Sequence, residues 1–277
     1  GPGSEISIFL FRVCHSFEGP LGYSYRSEIN WGGIVFSSLL ALGFLFLWGQ
    51  SAPLNQKVES QESVLIRGYQ GQLSIQPSPT DQLQVFVQKN AAKNSQWQVK
   101  IEKGPRGPEV RVVGPSERET WEFWRRGEVL PALHLKVLVP QRALEIFWDK
   151  GDVKVSSMKK GLRLQVTQGK VRLKENMGAT YVQLLQGALW VDKHRGNLSL
   201  QTHKGQVVLK QTEGALHLQN HSARYQLSGH KGPMEFNNHS GSASFGSLNG
   251  TVRLFNLSGP IQFSDFSGSL QGESEKG

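Results

Sequence analysis

From Gly169 onward a glycine recurs every nine residues, at Gly178, Gly187, Gly196, Gly205 and Gly214. It gives way once to Ala223 and resumes at Gly232, Gly241, Gly250, Gly259 and Gly268. Eleven glycines on twelve successive positions define a structural period. With each glycine counted as place one, the third and fifth places are apolar almost throughout. They read Val171 and Leu173, Leu189 and Val191, Leu198 and Leu200, Val207 and Leu209, and Leu216 and Leu218. Tyr225 and Leu227, Met234 and Phe236, Val252 and Leu254, and Ile261 and Phe263 continue the series. Apolar residues two apart, with polar residues between them, make a short strand that shows one face to a core. Glycine supplies the sharp turn at its end.

One such strand buries too little apolar surface to stand alone, so successive strands must stack into a solenoid with a shared core. The expected fold is therefore all-β, a parallel β-helix of nine-residue strand-turn repeats. Its expected hand is right-handed, the chirality of parallel crossovers in general. Nine residues make one side of a coil, and both a two-sided coil of about 18 residues and a three-sided one of about 27 fit the period. The regular solenoid is expected over 151–272, with a charged tail at 273–277. Residues 64–150 alternate less regularly and read as lead-in and capping strands, since solenoid ends need atypical covering units. Within them, 117–133 is a charged and aromatic insertion that fits no strand pattern.

Ahead of the solenoid the chain changes character. Residues 31–49 run without a charge or a proline between Trp31 and Trp48, close to the ~20 residues that cross a bilayer as a helix. A transmembrane helix is expected over 30–50, followed by a polar linker at 51–63. A cleaved signal peptide is the rival reading, but Gln50 two places before Ala52, and Pro53 after it, argue against cleavage. Arg26 lies nearest the span, which favours export of the C-terminal part. Residues 1–29 comprise a GPGS tag scar and a short N-terminal segment.

The net charge of +9 would suit a nucleic-acid partner if it were clustered. It is spread along the chain as a solvated basic surface, so no nucleic-acid partner is expected. The single cysteine, Cys14, excludes an internal disulfide framework and a cysteine-based zinc site.

The run LHLKVLVPQRALEIFWDKGDVKVSS, leading into the glycine repeat, resembles the bacterial putative-adhesin domains of unknown function. In that family apolar strands ending in Val-Pro precede an S-G-D-I-x-V type repeat. Val139-Pro140 and Gly151-Asp152-Val153-Lys154-Val155 match it here. The resemblance covers about residues 64 to 272. It implies a repeat β-helix behind a membrane anchor and a surface or envelope role, and carries over no catalytic residue. The repeat departs from the family pattern in rarely having Asp after the glycine.

The eighth place of the repeat draws attention next. It reads Asn176, Leu185, His194, His203, Thr212, His221, His230, His239, Leu248, Leu257 and Phe266, so five of the eight histidines share one coordinate. On a two-sided coil His203, His221 and His239 would stack in one column, with His194 and His230 flanking Thr212 in the other. Imidazoles one coil apart could share a transition metal. The interchange of His with Leu, Thr, Asn and Phe points instead to a semi-buried corner, and no metal is expected. The calcium-binding nonapeptide roll is also excluded, because no repeat carries G-G-x-G-x-D. Trp121, Phe123, Trp124, Arg125 and Arg126 are the candidate binding residues, for sugar rings or headgroups. The competing reading makes them a plug over the solenoid core.

No G-x-S-x-G elbow, H-E-x-x-H motif or Walker loop is present, and no cofactor is expected. The expectation is a non-catalytic, single-pass protein of the bacterial cell membrane with its β-helix outside the cytoplasm. That β-helix would act as an adhesin-like or protein-scaffolding surface. Self-assembly like that of bactofilins and binding of an envelope polysaccharide are the alternatives.

Overall fold

A computed structural model of the chain describes residues 53–59, 62–88, 97–115, 125 and 133–276. These form an all-β parallel solenoid of about seven turns. The apolar run 31–49 lies outside the described residues, among which no helix is long and apolar enough to cross a membrane.

The regular coils comprise β7 (Leu144–Ser156), β8 (Leu162–Lys174), β9 (Thr180–Arg195), β10 (Leu198–Glu213), β11 (Leu216–Asn220), β12 (Arg224–Lys231), β13 (Met234–Asn238), β14 (Ser242–Ser258) and β15 (Ile261–Lys276). Pairing settles the coil length. Leu162 pairs with Thr180, Thr180 with Leu198, Leu198 with Leu216, and Leu216 with Met234, all in parallel. Each step is 18 residues, so the coil has two sides of one nine-residue repeat each.

The two sides differ. On one, the chain alternates without interruption through three inward places, as in Leu198, Leu200 and Thr202. On the other, the seventh place is left-handed in every coil. Ser157, Glu175, Lys193, Gln211, Gly229, Ser247 and Asp265 have φ between 51° and 69°. One left-handed residue breaks the alternation, as a bulge does, and turns the eighth residue inward. We call these the flat and the bulged side.

The coils close at the glycines. Gly205 has φ 137°, and a Cβ there would sit 1.7 Å from the carbonyl oxygen of Gly187 in the preceding coil. Only a residue without a side chain lets the backbones approach so closely.

The N-terminal end is built differently. Val64 in β2 (Val64–Pro77) pairs with Leu144 rather than with a residue one coil on, and the chain between them forms more sheet. On its other edge β2 pairs in parallel with β5 (Gly107–Val113) and β6 (Leu133–Val139). Then β4 (Gln98–Gly104) pairs antiparallel with β5, β3 (Gln82–Gln88) with β6, and β1 (Leu54–Lys57) with β3. Antiparallel additions end the parallel ladder there.

Three expected boundaries move. Residues 51–63 are not a bare linker: they contain β1, and Val58 is 1% exposed, because this segment pairs with and packs on β3. Coil geometry begins at Val64 and Leu144 rather than at 151, since β2 and β7 already share the register of β8. Residues 273–276 are not a free tail but the end of β15, with Glu273 opposite Phe255 and Lys276 opposite Ser258. Backbone pairing there needs no apolar side chains, so the sequence pattern misses it.

The core is a continuous ladder of inward side chains from Val64 to Val252. Toward the C-terminal end it becomes aromatic. The rings of Tyr225, Phe236, Phe245 and Phe263 lie 5.1 to 5.4 Å apart in succession, in the tilted and edge-on arrangements that aromatic pairs favour.

Candidate functional site

The eighth-place residues form two columns in different surroundings. On the bulged side the left-handed residue before each one turns it into the core. Asn176, His194, Thr212, His230 and Leu248 are all buried. On the flat side the eighth place follows an inward seventh and points out, so Leu185, His203, His221 and His239 are exposed. The expected single semi-buried corner is thus replaced by one buried and one exposed column.

The exposed column stacks as the two-sided coil requires. The rings of His203 and His221 are 4.3 Å apart and 7° from parallel, and those of His221 and His239 are 4.6 Å apart at 18°. Their backbone is pinned from beneath. Ser222, Ser240 and Ser258 each donate a side-chain hydrogen bond to the carbonyl of His203, His221 and His239, at 2.9, 2.8 and 2.9 Å. A lone pair lies in the plane of its imidazole, so an ion cannot sit in the planes of two parallel stacked rings at once. Metal sharing would require the stack to rotate apart. Among the described residues no group of three or more His, Cys, Asp or Glu is arranged to hold a metal. Removal from water, and then the flanking His203 and His239, hold the His221 pKa below the ordinary histidine value.

Beside this column runs a row of amides on the same side. Tyr181 donates to Gln201 Oε1 at 2.7 Å, and Gln201 Nε2 to Gln219 Oε1 at 2.8 Å. Asn237 and Phe255 occupy the same register in the next two coils. The two rows bound a shallow axial trough of about 440 Å³, which runs from Leu185 to Phe255 and Leu257. None of its lining residues is Asp, Glu, Lys or Arg.

Beneath the trough the seventh place changes along the axis from apolar to polar. Leu184 and Thr202 are followed by Asn220, Asn238 and Asn256, all buried. Asn220 Nδ2 donates to Asn238 Oδ1 at 2.7 Å, and Asn238 Nδ2 to Asn256 Oδ1 at 2.6 Å. The Thr202 hydroxyl bonds the phenol of Tyr225, whose pKa burial pushes far above the ordinary range. This ladder gives the trough a rigid floor, because each amide satisfies the next as well as its own turn. Neither the Asn ladder nor the Gln row stands out at a nine-residue period. Both appear at 18, where like residues recur at Gln183, Gln201 and Gln219 and at Asn220, Asn238 and Asn256.

The buried column carries a pH dependence. Among the described residues, neither ring nitrogen of His194 has a hydrogen-bond partner, nor has Nε2 of His230, whose Nδ1 meets the Thr212 hydroxyl at 2.9 Å. Burial is the largest influence on both rings and lowers both pKa values. Below pH 6.5 the unfolded chain therefore binds protons that the folded one refuses, and stability falls as pH drops. The expected slope is up to about 1.4 kcal/mol per pH unit for each histidine. Urea denaturation at about pH 7.5 and about pH 5.5 checks this against the double variant His194→Leu/His230→Leu, which borrows the side chain of Leu248. An equal pH dependence in both proteins would show that these rings are charged in the fold.

Of the aromatic and basic binding candidates, only Arg125 is described, in a helical position and exposed. Trp121, Phe123, Trp124 and Arg126 lie outside the described residues. The structure brings His203, His221 and His239 together and separates them from His194 and His230. Repeat glycines from Gly169 to Gly268 stand at the corners between the sides.

No family model matches the chain, and no curated protein matches it. Among solved structures, similar ones include a putative cell adhesion protein from Clostridium sporogenes, at 11% identity and TM-score 0.26. The match covers 80% of this chain and 99% of that one. A putative adhesin from Parabacteroides merdae matches at 10% identity and TM-score 0.26, over 82% and 95% of the two chains. A putative adhesin from Bacteroides fragilis matches at 13% identity and TM-score 0.31, over 80% and 96%. Scores this low equate no side chain with another, and no property of these neighbours transfers to this chain.

Proposed function

We propose that the chain is a non-catalytic, adhesin-like binding protein whose solenoid offers the flat-side trough as its contact surface. The observation that carries this is the stacked imidazole column beside the amide row, on a floor of interlocked asparagines. Such a surface is rigid before contact, so binding orders few side chains. The imidazoles have no carboxylate beside them in the trough lining to orient one as a base, which speaks for binding rather than catalysis. In this reading residues 31–49 are a single membrane span, and the right-handed solenoid stands outside the cytoplasm of a bacterial cell, displayed to envelope partners.

Beads coated with the full chain should adhere to bacterial envelope material. The double variant His221→Ala/Gln219→Ala should lower adhesion about tenfold, the loss of roughly 1.4 kcal/mol. Gln226→Ala and Lys210→Ala, exposed on the bulged side, should leave it unchanged. Equal adhesion by all variants would refute the trough as the contact surface.

A second reading has its own observation. The last coil leaves Leu270 49% exposed and covers Ile261, Phe263 and Phe266 only partly, while among the described residues β15 pairs on one edge, with β14. Uncovered parallel edges recruit further strands, which favours end-to-end self-association as a structural element. Light scattering over a concentration series distinguishes the two, because a strict monomer rules out assembly.

A further inference from the structure

The trough does not stop at Leu185. A second depression of about 700 Å³ shares Gln183 and Leu185 with it and continues past Gln165 to Phe147, Tyr69 and Arg67. One outward register thus runs Arg67, Phe147, Gln165, Gln183, Gln201, Gln219, Asn237, Phe255 through paired strands. Eight strands at ~4.8 Å spacing make a groove roughly 34 Å long, parallel to the solenoid axis. A groove this long and shallow fits an extended polymer better than a compact small molecule, which binds in a concave pocket.

The walls narrow the class of polymer. An extended peptide binds a sheet by pairing with a free edge, but both edges of the strands under the central groove are already in the ladder. A nucleic acid needs cations against its phosphates, and the central stretch has no Lys or Arg. What it has, once per coil, is a primary amide that both donates and accepts, set beside an aromatic or apolar side chain. A sugar ring presents the matching chemistry: hydroxyls that donate and accept around its rim, and a C–H face that packs on rings. The length of a pyranose in an extended chain is close to the strand spacing, so successive sugars keep step with successive coils.

We propose that this groove binds an uncharged, unbranched glycan along the solenoid axis, about one sugar to a coil, between the amide row and the imidazole stack. The assignment rests on the trough being the contact surface. Gln183, Gln201, Gln219 and Asn237 hold the hydroxyls, and the exposed ring of Phe255 holds a sugar face at one end. The lack of charge in the central stretch sets the preference for a neutral chain.

Calorimetric titration of the full chain with β-linked glucose, mannose and N-acetylglucosamine oligomers of increasing length tests it. For at least one series the affinity should rise with each added sugar and level off near the length of the groove. Gln219→Ala or His221→Ala should lower it about tenfold without changing the melting temperature, since both side chains are exposed. Gln226→Ala should not lower it. Binding confined to a uronate oligomer, affinity independent of length, or binding unchanged in Gln219→Ala would overturn the proposal. If the coated beads adhere through the trough while no neutral oligomer binds, the ligand class is wrong and the contact surface stands. If adhesion ignores the trough variants, the contact surface itself fails.

Discussion

Gly205→Ala is expected to destabilise the solenoid by about 3 to 5 kcal/mol. Two costs add. With φ at 137°, Gly205 occupies backbone space that an L side chain avoids. The added Cβ would also lie 1.7 Å from the carbonyl oxygen of Gly187 and 2.8 Å from its carbon. That carbonyl cannot retreat, because Gln186, Gly187 and Ala188 are all paired with β10. Relief would require a ladder to open on a chain whose coils are stabilised by their neighbours.

Ala223 provides the internal comparison, one coil on in the same column. It is not among the positive-φ residues, and its turn is made in another way. Its N–H donates to Asn220 Oδ1 at 2.7 Å, and its carbonyl accepts from Asn220 Nδ2 at 2.8 Å. At this corner the asparagine tie accompanies a backbone outside the positive-φ region, so alanine fits. Ala223→Gly should therefore cost no more than about 1 kcal/mol, chiefly through added freedom of the unfolded chain. Urea midpoints of the two variants decide the matter. A Gly205→Ala protein within about 0.5 kcal/mol of wild type would show that the corner relaxes freely.

Asn238→Ala should cost about 3 kcal/mol, as expected when a buried network loses its central member. The side chain is 1% exposed and every polar atom on it is engaged. Its Oδ1 accepts from Asn220 Nδ2 at 2.7 Å and from the Gly241 N–H at 3.1 Å. Its Nδ2 faces Asn256 Oδ1, the Ser258 carbonyl and the Gly241 carbonyl at 2.6, 2.9 and 3.0 Å. Truncation removes the partner of buried Asn256 Oδ1 and one of the two acceptors of Asn220 Nδ2, which is worse than never having placed polar groups there. Val166 and Leu184 fill the same column in earlier coils, so an apolar version of this site already exists in the molecule. The triple change of Asn220, Asn238 and Asn256 to leucine should accordingly cost less than the sum of the three single changes. Additive losses in denaturation would mean that each asparagine serves only its own turn.

The nine-residue period by itself determined the fold class, the inward third and fifth places, and the recurrence of five histidines at one place of the repeat. These are local properties: alternation comes from the two-residue pleat, and the corner from a residue without a side chain. The number of sides was not local. It depends on which earlier strand a given strand pairs with, and both two and three sides satisfy the same alternation. Only the register of Leu198 with Leu216, and of its counterparts, decided it.

The division of the histidines was likewise settled in three dimensions. The left-handed seventh place that sends His194 and His230 inward is filled by Ser, Glu, Lys, Gln, Gly and Asp in different coils, so no residue type announces it. A single left-handed residue costs roughly 1 kcal/mol or so, which coil packing overrides without leaving a mark in the sequence. The trough, assembled from side chains 18 residues apart on successive strands, became visible only once the coil was known to have two sides. Its histidines were singled out by their spacing, whereas its amide wall and asparagine floor belong to the tertiary structure alone.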